Sequence, residues 1–162
     1  MQNIKLIKED LRKIIEAIDF SNTSFDGLDL AQERIDGNPK VFTHIVKEAS
    51  SPCIEIVNVG SPVLADQTGI STINASFRVR CMYEKSAGDQ EEIEDLLDEL
   101  VLLINLQIMD YLNGSSNYDQ IFSIEGDELR IDSDFGIVYK DLNLIARFEK
   151  ARQVPSKSVA DL

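Results

Sequence analysis

The residues most capable of chemistry are acidic side chains gathered in one short segment. Residues 125–134 contain five acidic residues and one basic residue, Arg130. The acidic residues are Glu125, Asp127, Glu128, Asp132 and Asp134. Carboxylates are the ligands that Ca²⁺ prefers, and the segment from Asp132 begins like an EF-hand loop. Its sixth and twelfth positions are Ile137 and Asn143, however, where the loop needs Gly and Glu. We therefore expect no EF-hand, and a looser carboxylate site stays open.

Catalytic motifs are not apparent elsewhere in the chain. His44 is the only histidine, and no recognisable nucleophile motif lies near it. It falls within a strand-like run and is interpreted as a structural residue. Cys53 and Cys81 also fall within strand-like runs, which indicates core residues in a reducing compartment. The sequence has no phosphate-binding glycine loop, CxxC pair or HExxH. We predict a protein that is not an enzyme and has no cofactor or metal, with a motif-free small-molecule enzyme as an alternative.

The formal net charge of −13 belongs to one stretch of the chain. Residues 89–134 contain fourteen acidic residues and one basic residue, whereas the flanking segments are nearly balanced. A surface of this kind repels phosphate or docks on a basic partner. The alternative is a solvated helix face and an acidic loop that keep the protein soluble.

The length and composition fit one domain. The chain has 162 residues, of which 43% are hydrophobic. We predict a single domain over residues 1–152, followed by a polar C-terminal arm over residues 153–162. No apolar run approaches the ~18–20 residues that cross a bilayer, and no signal peptide is evident.

Hydrophobic periodicity predicts two helices, over residues 4–18 and 89–112. Alternation predicts a strand over residues 72–84, with Arg78 and Arg80 on its outward face. Further expected elements are a hairpin of residues 41–47 and 53–59, a long loop over 25–40, short strands near 121–124 and 129–131, and a last strand over 137–149. This order, without alternation of strands and helices, predicts an α+β fold. We expect an antiparallel or mixed sheet with the N-terminal helix and the long helix packed on one face.

The second half of the long helix is apolar on nearly all sides. A single sheet covers only one face of such a helix, so the others need a second cover. We predict that Leu103 or Leu106 lies against the N-terminal helix or against another subunit.

Three segments carry a resemblance to a known family: INASFRVRCMYE, EEIEDLLDELVLLINLQIMDYL and KDLNLIARFEK. Their strand, helix and strand order resembles that of the tail-terminator or tail-completion family of tailed bacteriophages. The resemblance implies a structural virion protein, assembled in the host cytoplasm. It would form a ring, expected to be hexameric and without a membrane partner, that terminates the tail tube and contacts tube, sheath or neck proteins.

The resemblance also gives the charged residues expected roles. DNA would pass through the ring without specific binding, past a lumen lined by the acidic loop or by the acidic start of the long helix. The loop residues expected to form this lumen, or a surface for a partner, are Glu125, Asp127, Glu128, Asp132 and Asp134. Arg78, Arg80 and Arg147 would face the acidic helix of a neighbouring subunit, and Leu103 and Leu106 would lie in the same interface.

The element order also resembles that of the class I type III secretion chaperones. These proteins are acidic homodimers that bind an unfolded protein segment on exposed sheet surface. They normally end in a helix, which the C-terminal sequence VPSKSVADL does not resemble. The mass in solution distinguishes the two alternatives, because a dimer favours the chaperone and a larger ring favours the terminator.

Overall fold

The computed structural model describes residues 3–32, 40–45, 51–67, 69–112, 120–124, 129–132 and 136–151. For residues 64–67, 112, 120–124, 129–130 and 132, it describes the backbone alone. The described residues form two helices and one mixed sheet, which confirms the predicted α+β class.

The elements follow one another in the predicted general order. They are α1 (Ile4–Glu16), β1 (Val41–Phe42), β2 (Cys53–Gly60), β3 (Val63–Gln67), β4 (Ile70–Glu84), α2 (Gln90–Leu112), β5 (Gln120–Ile124), β6 (Leu129–Asp132) and β7 (Ile137–Ala151). In the sheet, the order of strands is β1, β2, β4, β7 and β5. β3 pairs with β4 on the same edge as β2, next to the end of β2. In the same way, β6 pairs with β7 on the same edge as β5.

Two long strands form the centre of the sheet. β4 and β7 pair antiparallel over all 15 of their residues, from Ile70 opposite Ala151 to Glu84 opposite Ile137. Their side chains alternate between the two faces, so that Phe77 and Leu144 are buried on the same side. The strands predicted over 72–84 and 137–149 are confirmed, and each is slightly longer than its periodic pattern.

Both helices pack on one face of this sheet, as predicted. α1 lies over β1 and β2, while α2 lies over β4, β7 and β5, and the two helices also contact each other. The core between the layers contains Leu11 and Ile15 from α1, Leu97 and Ile104 from α2, and Val79 from β4. We call this side of the sheet the helical face and the other side the open face.

The segment after α1 has no regular secondary structure but packs against the core. Phe20, Phe25 and Leu30 are buried in the main core, and the rings of Phe20 and Phe25 lie 5.7 Å apart. The backbone nitrogen of Ser24 donates to Oε1 of Glu99 on α2, at 3.0 Å. The described part of the predicted long loop therefore packs against the core and α2 without forming a helix or strand.

The predicted hairpin of residues 41–47 and 53–59 is wrong. β1 has only two residues and pairs parallel to β2, with Val41 opposite Ile54. Parallel neighbours cannot be joined by the tight turn of a hairpin. His44 consequently lies beyond β1 in an irregular segment, exposed, with its ring edge-on to that of Phe42. It is not the mid-strand residue that its sequence context indicates.

The sequence also gives no indication of β3. Gly60 and Pro62 mark an end to β2, but the chain resumes pairing at Val63 and continues along β4. A two-residue turn then leads from Gln67 to Ile70. Gly69 in this turn has a φ of 81°, a conformation that residues with a Cβ rarely adopt.

Candidate functional site

The side of α2 that faces away from the sheet carries the most unusual described surface. Five residues spaced four, three, four and four apart form what we call the outer stripe: Glu91, Asp95, Asp98, Leu102 and Leu106. All five are exposed, and the buried Leu97, Ile104 and Ile108 lie on the opposite side of the helix. The outer stripe is therefore acidic in its first half and apolar in its second half.

The apolar half of the stripe is open within the chain. Leu102 is 56% exposed and Leu106 is 53% exposed, and they are adjacent because they lie one helical turn apart. A single exposed leucine is common on protein surfaces, but two adjacent ones on a charged helix form a patch whose burial is favourable. Leu103 and Met109 differ, because both are half-buried against the main core. Cover of Leu106 by another subunit stays a prediction.

The acidic half is only partly neutralised. Asp98 Oδ1 accepts from Nζ of Lys140 at 2.6 Å, in a pair where the Asp98 side chain is 60% exposed. Beside the stripe, Ser24 hydrogen-bonds Glu99 and thereby lowers the pKa of its carboxyl group. Among the residues that the structure describes, Glu91 and Asp95 form no ion pair. The N-terminal turns of α2 tolerate these charges because the helix dipole favours acids there.

The predicted interface arginines lie on the open face of the sheet, away from the outer stripe. Arg78 Nη2 donates to Oε1 of Glu55 at 3.1 Å, and Glu55 is buried, with 2% exposure. Arg147 Nε donates to Oδ1 of Asn74 at 3.0 Å. The structure thus brings the arginines to one face, and a role in a subunit interface stays a prediction for them.

Arg80 has the most complete set of contacts on this face. Its Nε and Nη2 donate to the two carboxylate oxygens of Asp141, at 2.8 and 3.0 Å. Its guanidinium also lies over the ring of Tyr139, 3.8 Å from the ring centre. Burial acts to lower the pKa of Arg80, but the hydrogen bond and the charge of Asp141 outweigh it and raise the pKa. This fork-to-fork geometry joins β4 to β7.

One exposed surface was not singled out by the sequence. The exposed residues of α1 are Lys5, Leu6 and Lys13, which we call the outer face of α1. Leu6 is 46% exposed although it lies next to the buried Ile7. The sequence feature that could have indicated this surface is Leu6, which lies one position away from the apolar face of the predicted helix and has lysines near it.

The predicted acidic loop cannot be placed as a site. Glu125, Asp127, Glu128 and Asp134 lie outside the described residues. Asp132 is described by its backbone alone, as the last residue of β6, opposite Ile137. Within the described ranges, no group of three or more His, Cys, Asp or Glu side chains is arranged to hold a metal ion.

The described nucleophilic and acid–base groups are enclosed or isolated. Cys53 and Cys81 are buried, and neither takes part in a disulfide bond. Burial, together with the nearby Cys81 and Glu99, raises the pKa of Tyr83 to about 12, so this phenol stays protonated at neutral pH. His44 has Phe42 as its ring neighbour. None of these groups forms a recognisable catalytic arrangement with another.

Two further properties concern the helices and the whole sequence. Neither helix has the length and continuous apolarity that crossing a membrane requires, as far as the described residues extend. Compared with family models and with curated proteins, the chain matches none of them.

Proposed function

We propose that this protein is a structural virion protein. In this proposal it forms a homo-oligomeric ring, hexameric in number, at the head-proximal end of a bacteriophage tail. There it terminates the tail tube and joins it to the neck. The observation that carries the proposal is the outer stripe of α2, where exposed leucines follow exposed acids along one line of a helix.

The leucines support assembly. Leu102 and Leu106 have no cover among the described residues, and contact with another protein surface would remove them from water. A patch of two leucines is small, so it needs surrounding polar complementarity to define a specific contact.

The acids support passage of DNA without retention. The net charge of −13 creates a negative field around the protein. Such a field weakens any association with phosphate, because binding of nucleic acid depends mainly on basic groups. A ring through which DNA moves benefits from that property.

The open face of the sheet favours this function over the chaperone alternative. A chaperone of that type would bind an unfolded segment on exposed sheet surface. Here the buried Glu55 and the half-buried Arg78, Arg80 and Asp141 are already paired with each other across the strands. Binding an apolar segment on these pairs would desolvate them further without giving them new partners.

The test is the assembly state of the purified full-length chain, measured by native mass spectrometry and negative-stain microscopy. We expect a ring with a central opening. Replacement of both stripe leucines, L102S with L106S, should abolish the ring and leave the melting temperature unchanged within a few degrees. A stable dimer of the wild-type chain would contradict the ring and favour the chaperone, and a monomer at the highest soluble concentration would contradict both.

A matched control uses exposed apolar residues elsewhere. Val59 and Val63 are both 57% exposed and lie away from α2, at the end of β2 and the start of β3. The double variant V59S with V63S should retain the ring. If it loses the ring to the same extent as the leucine variant, removal of any exposed apolar side chains weakens assembly and the stripe has no special role.

A further inference from the structure

We infer that the outer stripe of α2 binds helix α1 of a neighbouring copy of this chain, in an antiparallel orientation. This inference rests on the proposed function, because it identifies the contact that closes the proposed ring. It concerns two surfaces on different elements, so the interface is head-to-tail: each copy contributes α2 on one side and α1 on the other.

The outer face of α1 has the charge that the stripe lacks. Its exposed charged residues, Lys5 and Lys13, are both basic. Three acids of α1 are half-buried: Glu9 pairs with Arg12, Asp10 lies between Leu6 and Lys13 along the helix, and Glu16 lies one turn beyond Lys13. The charged residues exposed on α2 are all acidic, and of those on the stripe only Asp98 has an ion-pair partner in the described chain. The fully exposed charges of the two helices are thus opposite in sign.

The spacing of the two surfaces also matches. Leu6 and Lys13 are seven residues apart on α1, and Leu102 and Asp95 are seven residues apart on α2, about 10 Å in each case. In an antiparallel arrangement, Leu6 packs between Leu102 and Leu106 while Lys13 reaches Asp95 and Asp98. A parallel arrangement would instead place Lys13 near Tyr111 and Asp110, where one exposed acid stands in place of two, so the charges favour the antiparallel direction.

The position of the helices in the fold makes the contact geometrically reasonable. α1 lies over β1 and β2 towards one edge of the sheet, and α2 lies over β7 and β5 towards the other edge. Both surfaces face away from their own sheet, so successive copies must be rotated relative to each other for α1 of one to meet the outer stripe of the next, and a ring requires such a rotation. A two-fold contact between two stripes would instead bring the acids of both copies into one interface without adding a basic residue to pair with them, which is unfavourable.

Disulfide cross-linking tests the contact directly. The chain with L6C and L102C should, on oxidation, give a ladder of linked oligomers that ends at the ring number. The two native cysteines are buried and do not compete. The control pair L6C with V63C places the second thiol at a residue of similar exposure, 57% against 56% for Leu102, and should give no ladder.

Charge reversal provides a second, independent measurement. K13E and D95K should each raise the apparent dissociation constant of assembly about fivefold, as loss of a surface ion pair predicts. The double variant should return it to the wild-type value. K13E combined with E84K, a reversal at an exposed residue outside the stripe, should not restore it.

The outcomes separate this inference from the proposed function. A ring that forms without cross-links and without charge rescue overturns the α1–α2 contact and leaves the ring intact. Disulfide dimers of L102C alone, in a chain that is otherwise dimeric, indicate a two-fold contact between stripes and overturn the inference. A wild-type chain that stays monomeric at every concentration overturns the inference together with the ring.

Discussion

At the residue scale, the arginines of β4 show that a sequence predicts the face of the sheet on which a side chain lies but not the residue that it contacts. Alternation along β4 places Arg78 and Arg80 on the face opposite Phe77 and Val79. Their carboxylate partners, Glu55 and Asp141, come from β2 and β7 and are 23 and 61 residues distant in the chain. Their alignment depends on the strand register, which periodicity does not provide.

The Arg80–Asp141 pair should contribute measurably to stability. D141N removes the charge that the half-buried guanidinium requires, and we expect the free energy of unfolding to fall by about 1–2 kcal/mol. Urea titration followed by circular dichroism measures the change. D98N is the matched control, because the Asp98 side chain is 60% exposed whereas that of Asp141 is 18% exposed, and it should change the stability by less than ~0.5 kcal/mol. Equal effects of the two substitutions would contradict the role assigned to burial.

At the element scale, α1 depends on packing and on its cap. A helix of 13 residues is marginal in isolation, and its buried residues Ile7, Leu11, Ile14 and Ile15 provide most of its stability. Its first turn is closed by Asn3, whose side-chain oxygen accepts from the backbone nitrogen of Leu6 at 2.9 Å. The amphipathic pattern predicted this helix, although the structure ends it at Glu16 and not at Ile18.

Removal of this cap should loosen the helix. N3A leaves the nitrogen of Leu6 without its side-chain acceptor, and we expect a loss of about 1 kcal/mol in the free energy of unfolding. Hydrogen exchange should become faster in the first turn of α1 and stay unchanged in α2. N3D keeps an acceptor oxygen at the same position and should retain most of the stability, so an N3D variant as weak as N3A would rule out capping as the cause.

At the scale of the whole molecule, the segregation of charge should govern contact with nucleic acid. With a net charge of −13, the chain should not bind duplex DNA with submicromolar affinity at physiological salt. Gel-shift and fluorescence anisotropy titrations measure this directly, with a basic DNA-binding protein as the positive control. Tight binding that weakens with added salt would mean that a local basic surface outweighs the overall charge.

The fold class, both helices and the long strands followed from the sequence by itself, because each is specified by a local period of buried side chains. Tertiary structure decided the parallel pairing of β1, the continuation of β3 along β4, and the partners of Arg78 and Arg80. It also decided that Leu103 is half-covered while Leu102 and Leu106 are open, since an apolar helix gives no indication of which sides its own chain will cover. Periodicity is a property of one segment, whereas register and cover depend on residues far apart in the chain, and these positions define the surface proposed for assembly.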